Sequence, residues 1–172
     1  KGISPEPLSI ISKNNPGEVF VDDVRDPQTA LIWSYGIQGF YLIGRHDDSD
    51  TNNEIVAFFD RDIALRAKEI GYKSLEVSGD SVDWNEPIAD MFKHRKMSSW
   101  KQHIYLTKVK VDTRYSTDIE VRSVKNADIE RLTNTDILRK ELLQFWETIE
   151  SLQLRGNCFF AVDDNRVIGM CY

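Results

Sequence analysis

Apolar residues in the first third of the chain occur in short alternating runs, the pattern of β-strands. Turn-forming residues at 15–17 precede the run at 19–21, and Asp26-Pro27 precedes the run at 30–33. A loop at 35–39 then leads into the run at 40–43. Three short strands joined by turns predict an antiparallel meander that is largely buried.

The next segment changes from strand to helix spacing. Residues 47–53 are polar and lack periodicity, which predicts a loop with Asn53 as the N-cap of a helix. The apolar face of that helix comprises Ile55, Phe58, Phe59, Ile63, Ala67 and Ile70, and Gly71 stands at its end. A second helix starts near Asp83, and strands are predicted at 74–78 and 103–111.

A weakly patterned connector at 112–118 marks a predicted boundary between domains 1–116 and 117–172. The second domain starts with a strand at 119–123 and a short helix at 126–132. A longer helix follows, because Thr133 and Asp136 resemble a capping box and Gly156 forms a stop. Its apolar face comprises Leu138, Leu142, Phe145, Trp146, Ile149 and Leu152.

The last residues predict a β-hairpin, 157–162 and 166–172, around the turn 163–165. A symmetric loop pairs Cys158 with Cys171, Phe160 with Gly169, and Val162 with Val167. Both faces are apolar, so we expect an interior position in a sheet that is covered on both sides. The fold class is therefore α/β with mixed sheets. Since the chain ends inside a strand, we also expect the second domain to be incomplete.

The net charge and its distribution along the chain indicate which partners are not expected. The net charge is −6, and residues 1–116 carry 15 Lys and Arg against 18 Asp and Glu, while residues 117–172 carry 7 against 10. Neither part offers the concentrated positive field that nucleic acid or an anionic membrane attracts, so neither is an expected partner. Apolar runs are too short to span a bilayer, which favours a cytoplasmic location. A homo-oligomer is left open.

Candidate metal and nucleophile motifs are weak. Residues 48–52 imitate half of an EF-hand loop, but Asn53 and Phe59 stand where glycine and glutamate are needed, so a solvated loop is favoured. The basic stretch 93–96 with Trp100 fits a phosphate clamp, although a solvated helix end is favoured. The histidines lack zinc spacing, so no metal is expected and the catalytic residues stay unknown.

The two cysteines, Cys158 and Cys171, fall on facing strands of the predicted hairpin. A disulfide requires specific geometry and is rare in the cytoplasm, so free thiols are favoured over a bridge. The nine glycines form neither a dinucleotide-binding loop nor a P-loop. No anion site for a cofactor is therefore visible in these residues.

Several segments resemble the GCN5-related N-acetyltransferase (GNAT) superfamily. In the second domain they are FWETIESL at 145–152, GNCFFAV at 156–162 and VIGMC at 167–171. Upstream, VFVDD at 19–23, TALIW at 29–33 and FYLIG at 40–44 resemble an extra N-terminal domain. The branch they resemble includes zwittermicin A resistance proteins. The resemblance implies an N-terminal accessory α/β domain followed by the first half of a GNAT-like fold.

By resemblance, the complete protein transfers an acetyl group from acetyl-CoA to an amine of a small molecule. The family's cofactor motif, Q/R-x-x-G-x-G/A, is expected beyond Tyr172, so no cofactor-binding residue is assigned. The segment Thr133–Glu141 corresponds to the family's acceptor border, which makes Asp136 and Glu141 candidate substrate residues. Their alternative role is as charges that stabilise the start of a helix. The alternative function is a non-catalytic binding module on the same scaffold.

Overall fold

The computed structural model of the chain describes residues 4–101, 118–125 and 129–172. It divides into two compact units, Lys1–Ile104 and Tyr105–Tyr172. Each unit combines a β-sheet with helices, so the predicted mixed α/β class is confirmed. The predicted domain boundary after residue 116 and the predicted strand at 103–111 lie outside the described residues and stay predictions.

The first unit is built on a four-stranded sheet in the order β1-β2-β3-β4. The first three strands are antiparallel, as the meander predicted, and β4 runs parallel to β3. The strands are β1 (Gly17–Val21), β2 (Thr29–Ser34), β3 (Gly39–Gly44) and β4 (Glu76–Gly79). Trp33 and Phe40 pair across β2 and β3, and both are fully buried in the core of this unit.

Helices complete the first unit. They are α1 (Pro5–Ile11), α2 (Ser49–Phe58), α3 (Ala64–Ile70) and α4 (Asn85–Met91), with a π-helical turn at Phe59–Ile63 and a 3-10 turn at Val82–Trp84. The sequence pattern did not predict α1. This helix is held to the sheet through Glu6, whose carboxylate accepts hydrogen bonds from Ser34 Oγ at 2.6 Å and Asn15 Nδ2 at 3.0 Å.

The start of α2 corrects the sequence interpretation. Asp48, not Asn53, is the N-cap, because its Oδ1 accepts hydrogen bonds from the backbone N-H of Asp50 at 3.0 Å and of Thr51 at 3.3 Å. Most of the segment predicted as a polar loop therefore forms the first turn of the helix. The predicted end is confirmed, since Gly71 adopts a left-handed conformation with φ of 93°.

The second unit contains a three-stranded antiparallel sheet in the order β5-β6-β7. Its elements are β5 (Glu120–Ser123), a 3-10 turn (Ile129–Arg131), α5 (Asp136–Leu142), α6 (Ile149–Arg155), β6 (Phe159–Asp163) and β7 (Arg166–Cys171). Side chains of both helices and one sheet face form the core; its fully buried members include Leu142, Leu152, Phe160 and Val124. Residues 126–128 of the predicted short helix lie outside the described part.

The prediction of one long helix is wrong, because this segment is interrupted between residues 142 and 149. The chain forms two helices, and α6 has its own capping box: Thr148 Oγ1 accepts from the Ser151 N-H, and Ser151 Oγ accepts from the Thr148 N-H. The backbone of Thr148 is extended, so a single helix cannot continue through this residue. The apolar face was nevertheless predicted correctly, because Leu138 and Leu152 are both buried.

The predicted hairpin forms, but its register shifts along the strands. Val162 pairs with Val167 as expected, around a turn in which Asp164 and Asn165 both have positive φ. An irregularity between Ala161 and Val162 then places Phe160 opposite Met170 instead of Gly169. A β-bulge that adds one residue to β7 is the physical reason for this difference.

Burial on both faces of the hairpin is not observed within the described residues. One face packs on the helices, whereas the other leaves large apolar side chains about half exposed or more: Val121 is 63%, Phe159 49% and Ile168 50% exposed. The second sheet thus has one core face and one apolar exposed face in the described part of the chain.

Candidate functional site

The segment Thr133–Glu141, predicted to border a substrate, is anchored to the hairpin. The Thr133 N-H donates to the Asn165 carbonyl at 2.9 Å, and the Val167 N-H donates to the Thr133 carbonyl at 3.2 Å. Asn134 Nδ2 also donates to the Val167 carbonyl at 3.0 Å. The chain entering α5 is therefore fixed beside the start of β7. Thr133 serves this pairing and does not cap a helix, which corrects the predicted capping box with Asp136.

The two predicted substrate residues occupy opposite ends of α5. Asp136 is the first residue of the helix and is exposed, while Glu141 lies in the last turn and is half-buried. Five residues correspond to about 1.4 helical turns, so the two side chains lie on different faces. The structure does not bring Asp136 and Glu141 together. Their role toward a substrate stays a prediction.

Glu141 has aromatic neighbours that the sequence analysis did not assign to a site. The backbone continues in a turn after α5, because the N-H of Phe145 and that of Trp146 donate to the Leu142 carbonyl at 3.1 and 3.0 Å. Phe145 therefore follows Glu141 by one turn. Its ring packs against that of Tyr172, with centroids 5.7 Å apart and ring planes inclined by 52°.

The Tyr172 phenol is influenced by burial and by the charge of Glu141. Burial raises the pKa of the Tyr172 phenol above its usual value, and the negative charge of Glu141 raises it further. Glu141 Oε2 accepts a hydrogen bond from Gln144 Nε2 at 3.1 Å. Glu141, Gln144, Phe145 and Tyr172 are called the Glu141 cluster below.

Sequence reasoning could have found part of this cluster. Spacing of four residues between Glu141 and Phe145 indicates neighbouring positions on a helical turn. Tyr172 had no such signal, since its position depends on the bulged hairpin. Trp146 was predicted to belong to the core, and it packs, partly buried, against the core of the second unit.

The cysteines are free thiols, as predicted, but Cys171 lies opposite Phe159 in the hairpin and not opposite Cys158. Both are free, Cys158 buried and Cys171 exposed. Burial, with a smaller effect of neighbouring Cys171, raises the pKa of the Cys158 thiol to about 11. Because the thiolate is the reactive form, Cys158 is suited to packing and not to nucleophilic catalysis.

The basic stretch 93–96 follows the end of α4, and three of its side chains face carboxylates. Lys93 Nζ lies 2.9 Å from Asp90 Oδ1, and His94 Nε2 lies 3.8 Å from Asp60 Oδ2. Arg95 also pairs with Asp60 and covers the Phe59 ring. These local partners leave little free positive charge for a phosphate.

Two adjoining clefts in the first unit, of about 310 and 580 Å³, share His46, Asp47 and Pro87. The smaller one is also lined by Asp90, Lys93 and His94, and the larger one by Asp83 and Glu86. Carboxylates outnumber ammonium and guanidinium groups in both linings, so neither suits a pyrophosphate. Within the described residues, no group of three or more His, Cys, Asp or Glu side chains is arranged to hold a metal ion.

Comparison with known proteins decides the family. The family model described as "GNAT acetyltransferase" matches residues 7–172. The chain belongs to the GNAT acetyltransferase family. This assignment confirms the family that the segments near the hairpin indicated, and it associates the chain with acetyl transfer in general terms.

Other comparisons add less to the family assignment. One similar solved structure is a GCN5-related N-acetyltransferase-like protein from Streptococcus suis 89/1591, with 16% sequence identity and a TM-score of 0.45. The alignment covers 90% of this chain and 58% of that one, so the chain spans a little over half the length of this neighbour. A comparison with curated proteins gives no match.

GNAT proteins generally use acetyl-CoA, and the residues of this chain can be tested for a fit. None of the nine glycines lies in a Q/R-x-x-G-x-G/A pattern, and none is followed two residues later by glycine or alanine. The backbone cradle for a pyrophosphate is thus not supplied by these residues. Among the described helices, none combines the length and apolar character that a bilayer span requires.

Proposed function

We propose that the complete protein transfers an acetyl group from acetyl-CoA to an amine of a small molecule. The single observation that supports this proposal is the family match across residues 7–172. Amine acetylation is the activity that the resemblance implied. Because the present residues do not supply a pyrophosphate cradle, no step of the reaction is assigned to them through acetyl-CoA.

The residues of this chain contribute to the proposed acceptor side. Amines are mostly protonated near neutral pH, and a carboxylate attracts the resulting ammonium. Asp136 is exposed at the start of α5, and Glu141 is half-buried at its end. We propose that these two carboxylates increase the local concentration of the cationic acceptor. The net charge of −6 acts in the same direction.

The finer family assignment is part of this proposal. We propose that the chain is similar to the branch that includes zwittermicin A resistance proteins, with residues 1–116 as an accessory domain. A cytoplasmic location, where acetyl-CoA is available, completes the proposal. Nucleic acid and membrane are not proposed as partners, because local carboxylates face Lys93, His94 and Arg95.

A non-catalytic binding module is the second candidate function. It is favoured by the exposed apolar face of the second sheet, which includes Val121, Phe159 and Ile168. Contiguous exposed apolar surface is typical of a region that contacts another protein surface. This candidate does not require bound acetyl-CoA.

Calorimetry and a thiol assay separate the two functions. Full-length protein would be titrated with acetyl-CoA, and release of the CoA thiol would be measured with and without a primary amine. Acetyl transfer predicts binding and an amine-dependent release. Absence of acetyl-CoA binding would contradict it and favour the module, while release without amine would indicate thioester hydrolysis only.

A further inference from the structure

The turn of the β6-β7 hairpin is compatible with two pairing registers that differ by one residue. Val162 pairs with Val167 in both. In the observed register, called the bulged register below, the pairing passes over Ile168 and continues with Gly169 opposite Ala161. In the symmetric register, which has no bulge, Ile168 lies opposite Ala161. The two registers therefore diverge at the peptide group that joins Val167 to Ile168.

The Asn134 side chain holds this peptide group. Its Nδ2 donates to the Val167 carbonyl at 3.0 Å, and the Val167 N-H donates to the Thr133 carbonyl at 3.2 Å. Because the Val167 carbonyl lies in the plane of that peptide group, the Asn134 bond fixes the orientation of the plane. Asn134 has a φ of 63°, a conformation that asparagine tolerates better than most residues. The side chain is thus placed to stabilise the bulged register.

The register determines which residues of β7 face the core. In the bulged register Met170 lies opposite Phe160 and packs against the core of the second unit. Cys171 lies opposite Phe159 and is exposed. A slip of one residue reverses the face of every side chain beyond the turn, so it moves Met170 outward and Cys171 inward. Cys158, which is fully buried, is then directly opposite Cys171.

The symmetric register permits a bond between the two thiols, and the bulged register does not. In the bulged register Cys158 and Cys171 belong to opposite faces of the sheet, and Cβ atoms that point apart cannot be bridged. Directly opposite residues of antiparallel strands have Cα atoms about 4.5 to 5.5 Å apart, within the roughly 4.4 to 6.8 Å that a disulfide spans. A disulfide between these cysteines would therefore select the symmetric register.

We propose that the hairpin is a redox-sensitive element with two registers. With both thiols reduced, the Asn134 hydrogen bond and the packing of Met170 hold the bulged register. Oxidation by a small disulfide begins at the exposed Cys171, whose thiolate attacks one sulfur and releases one thiol. Cys158 then displaces the second thiol as the strand shifts. Two protein thiols lose two protons and two electrons, and the oxidant becomes two thiols.

The oxidised state has a structural consequence at α5. In the symmetric register the peptide group after Val167 turns away from Asn134, so the segment that enters α5 loses one of its bonds to the hairpin. Met170 also joins the exposed apolar face of the sheet. This device is independent of the proposed acetyl transfer.

Oxidation with excess glutathione disulfide, followed by mass spectrometry of the unreduced protein, tests the role of Asn134. Wild type should accumulate a mixed disulfide at Cys171. Asn134→Gly retains the positive φ and removes the amide, and we expect it to form the intramolecular disulfide about tenfold faster, the factor for one lost hydrogen bond. Asn165→Gly is the matched control, because Asn165 also has a φ of 63° and contacts Thr133 through its backbone carbonyl. Its rate should equal that of wild type.

Nuclear Overhauser effects measure the register itself and need no variant. Reduced wild type should show backbone contacts between Phe160 and Met170, and fully oxidised wild type should show contacts between Phe160 and Gly169. The contact between Val162 and Val167 should be present in both states, which distinguishes a register shift from unfolding. Reduction with dithiothreitol should restore the first pattern.

Several results would overturn the proposal. Equal rates in wild type and Asn134→Gly, or an equal gain in Asn165→Gly, would show that the Asn134 amide does not hold the register. Disulfides formed only between molecules, or no protein disulfide in any variant, would show that the symmetric register is not accessible. An oxidised protein that keeps Phe160 opposite Met170 would also reject the two-register element.

Discussion

The hydroxyl of Thr148 accepts a hydrogen bond from the backbone N-H of Ser151 at 3.1 Å, and Ser151 Oγ accepts one from the Thr148 N-H at 3.3 Å. This reciprocal pair satisfies two N-H groups that the start of a helix otherwise leaves without partners. It explains why the apolar stripe from Leu138 to Leu152 is divided between α5 and α6.

Replacing this cap should destabilise the second unit. We expect Thr148→Ala to lower the free energy of unfolding by about 1 kcal/mol, the usual cost of losing an N-cap side chain. Thr148→Ser retains the hydroxyl and should remain close to wild type. Urea unfolding followed by circular dichroism measures both. Equal stabilities of the alanine and serine variants would show that the cap contributes nothing.

A second prediction concerns the close approach at Gly156. A Cβ added there would lie 2.7 Å from Trp146 Cζ2 and 2.5 Å from Leu152 Cδ1. Gly156→Ala should therefore destabilise the protein by about 2 kcal/mol through overpacking. Gly169→Ala is the control, because its nearest neighbour, the Ala161 Cβ, lies 3.8 Å away in ordinary contact.

Thermal and urea unfolding of these two alanine variants give the comparison. The loss of unfolding free energy should be much larger for Gly156→Ala than for Gly169→Ala. Equal losses would mean that the general effect of replacing glycine, and not the contact with Trp146, determines the result.

The sequence predicted which residues of the helices are buried better than it predicted where the helices begin and end. The buried stripe of Leu138 and Leu152 follows from helical period alone, since apolar burial determines which face turns inward. The break at Thr148 was not predicted, because the apolar stripe continues across it from Phe145 and Trp146 to Ile149. Only the structure shows that Thr133 pairs with the hairpin at Asn165 and Val167.

In the hairpin, too, the sequence predicted one feature, the turn, and did not predict another, the register. Asp164-Asn165 indicated a turn, and its two residues adopt the expected positive φ. A bulge depends on how side chains pack on the core, so the shift that places Phe160 opposite Met170 has no local sequence signal. The candidate site was predictable at Glu141, whose helix was visible, but not at Tyr172.

A third prediction is a pH dependence at Glu18 in the first unit. Hydrogen bonds from Arg66, joined by one from the Tyr35 hydroxyl, hold the Glu18 pKa below its usual value. A lowered folded-state pKa contributes stability above the unfolded-state pKa and loses it as the pH falls through the folded value. The contribution should be at most about 1 kcal/mol, because the Arg66 and Glu18 side chains are each slightly more than a third exposed to solvent, which screens the ion pair.

Unfolding of wild type and Glu18→Gln across pH measures this contribution. The stability difference should be constant near neutral pH and shrink on acidification below about pH 4, where Glu titrates in unfolded chains. A difference that grows on acidification would have the wrong sign for a stabilised carboxylate. Glu86→Gln, a variant in the first turn of α4, serves as the control.

A fourth prediction concerns the thiols. The raised pKa of Cys158, about 11, and its burial should prevent alkylation near neutral pH in the folded protein. Cys171 is exposed and should react with iodoacetamide. Mass spectrometry of the Cys158→Ser and Cys171→Ser variants measures the alkylation of the one cysteine that remains in each. Rapid labelling of Cys171→Ser without denaturant would contradict the burial of Cys158.

The central claim is acetyl transfer to an amine that Glu141 helps to bind. Its most direct measurement is the kinetics of acetyl-propylamine formation by full-length protein, followed by mass spectrometry, for wild type, Glu141→Gln and Glu150→Gln. We predict acetylated product from wild type and Glu150→Gln, and a KM for the amine that is about tenfold higher in Glu141→Gln, because ground-state binding is lost. No acetylated product from wild type with propylamine and acetyl-CoA would contradict the claim.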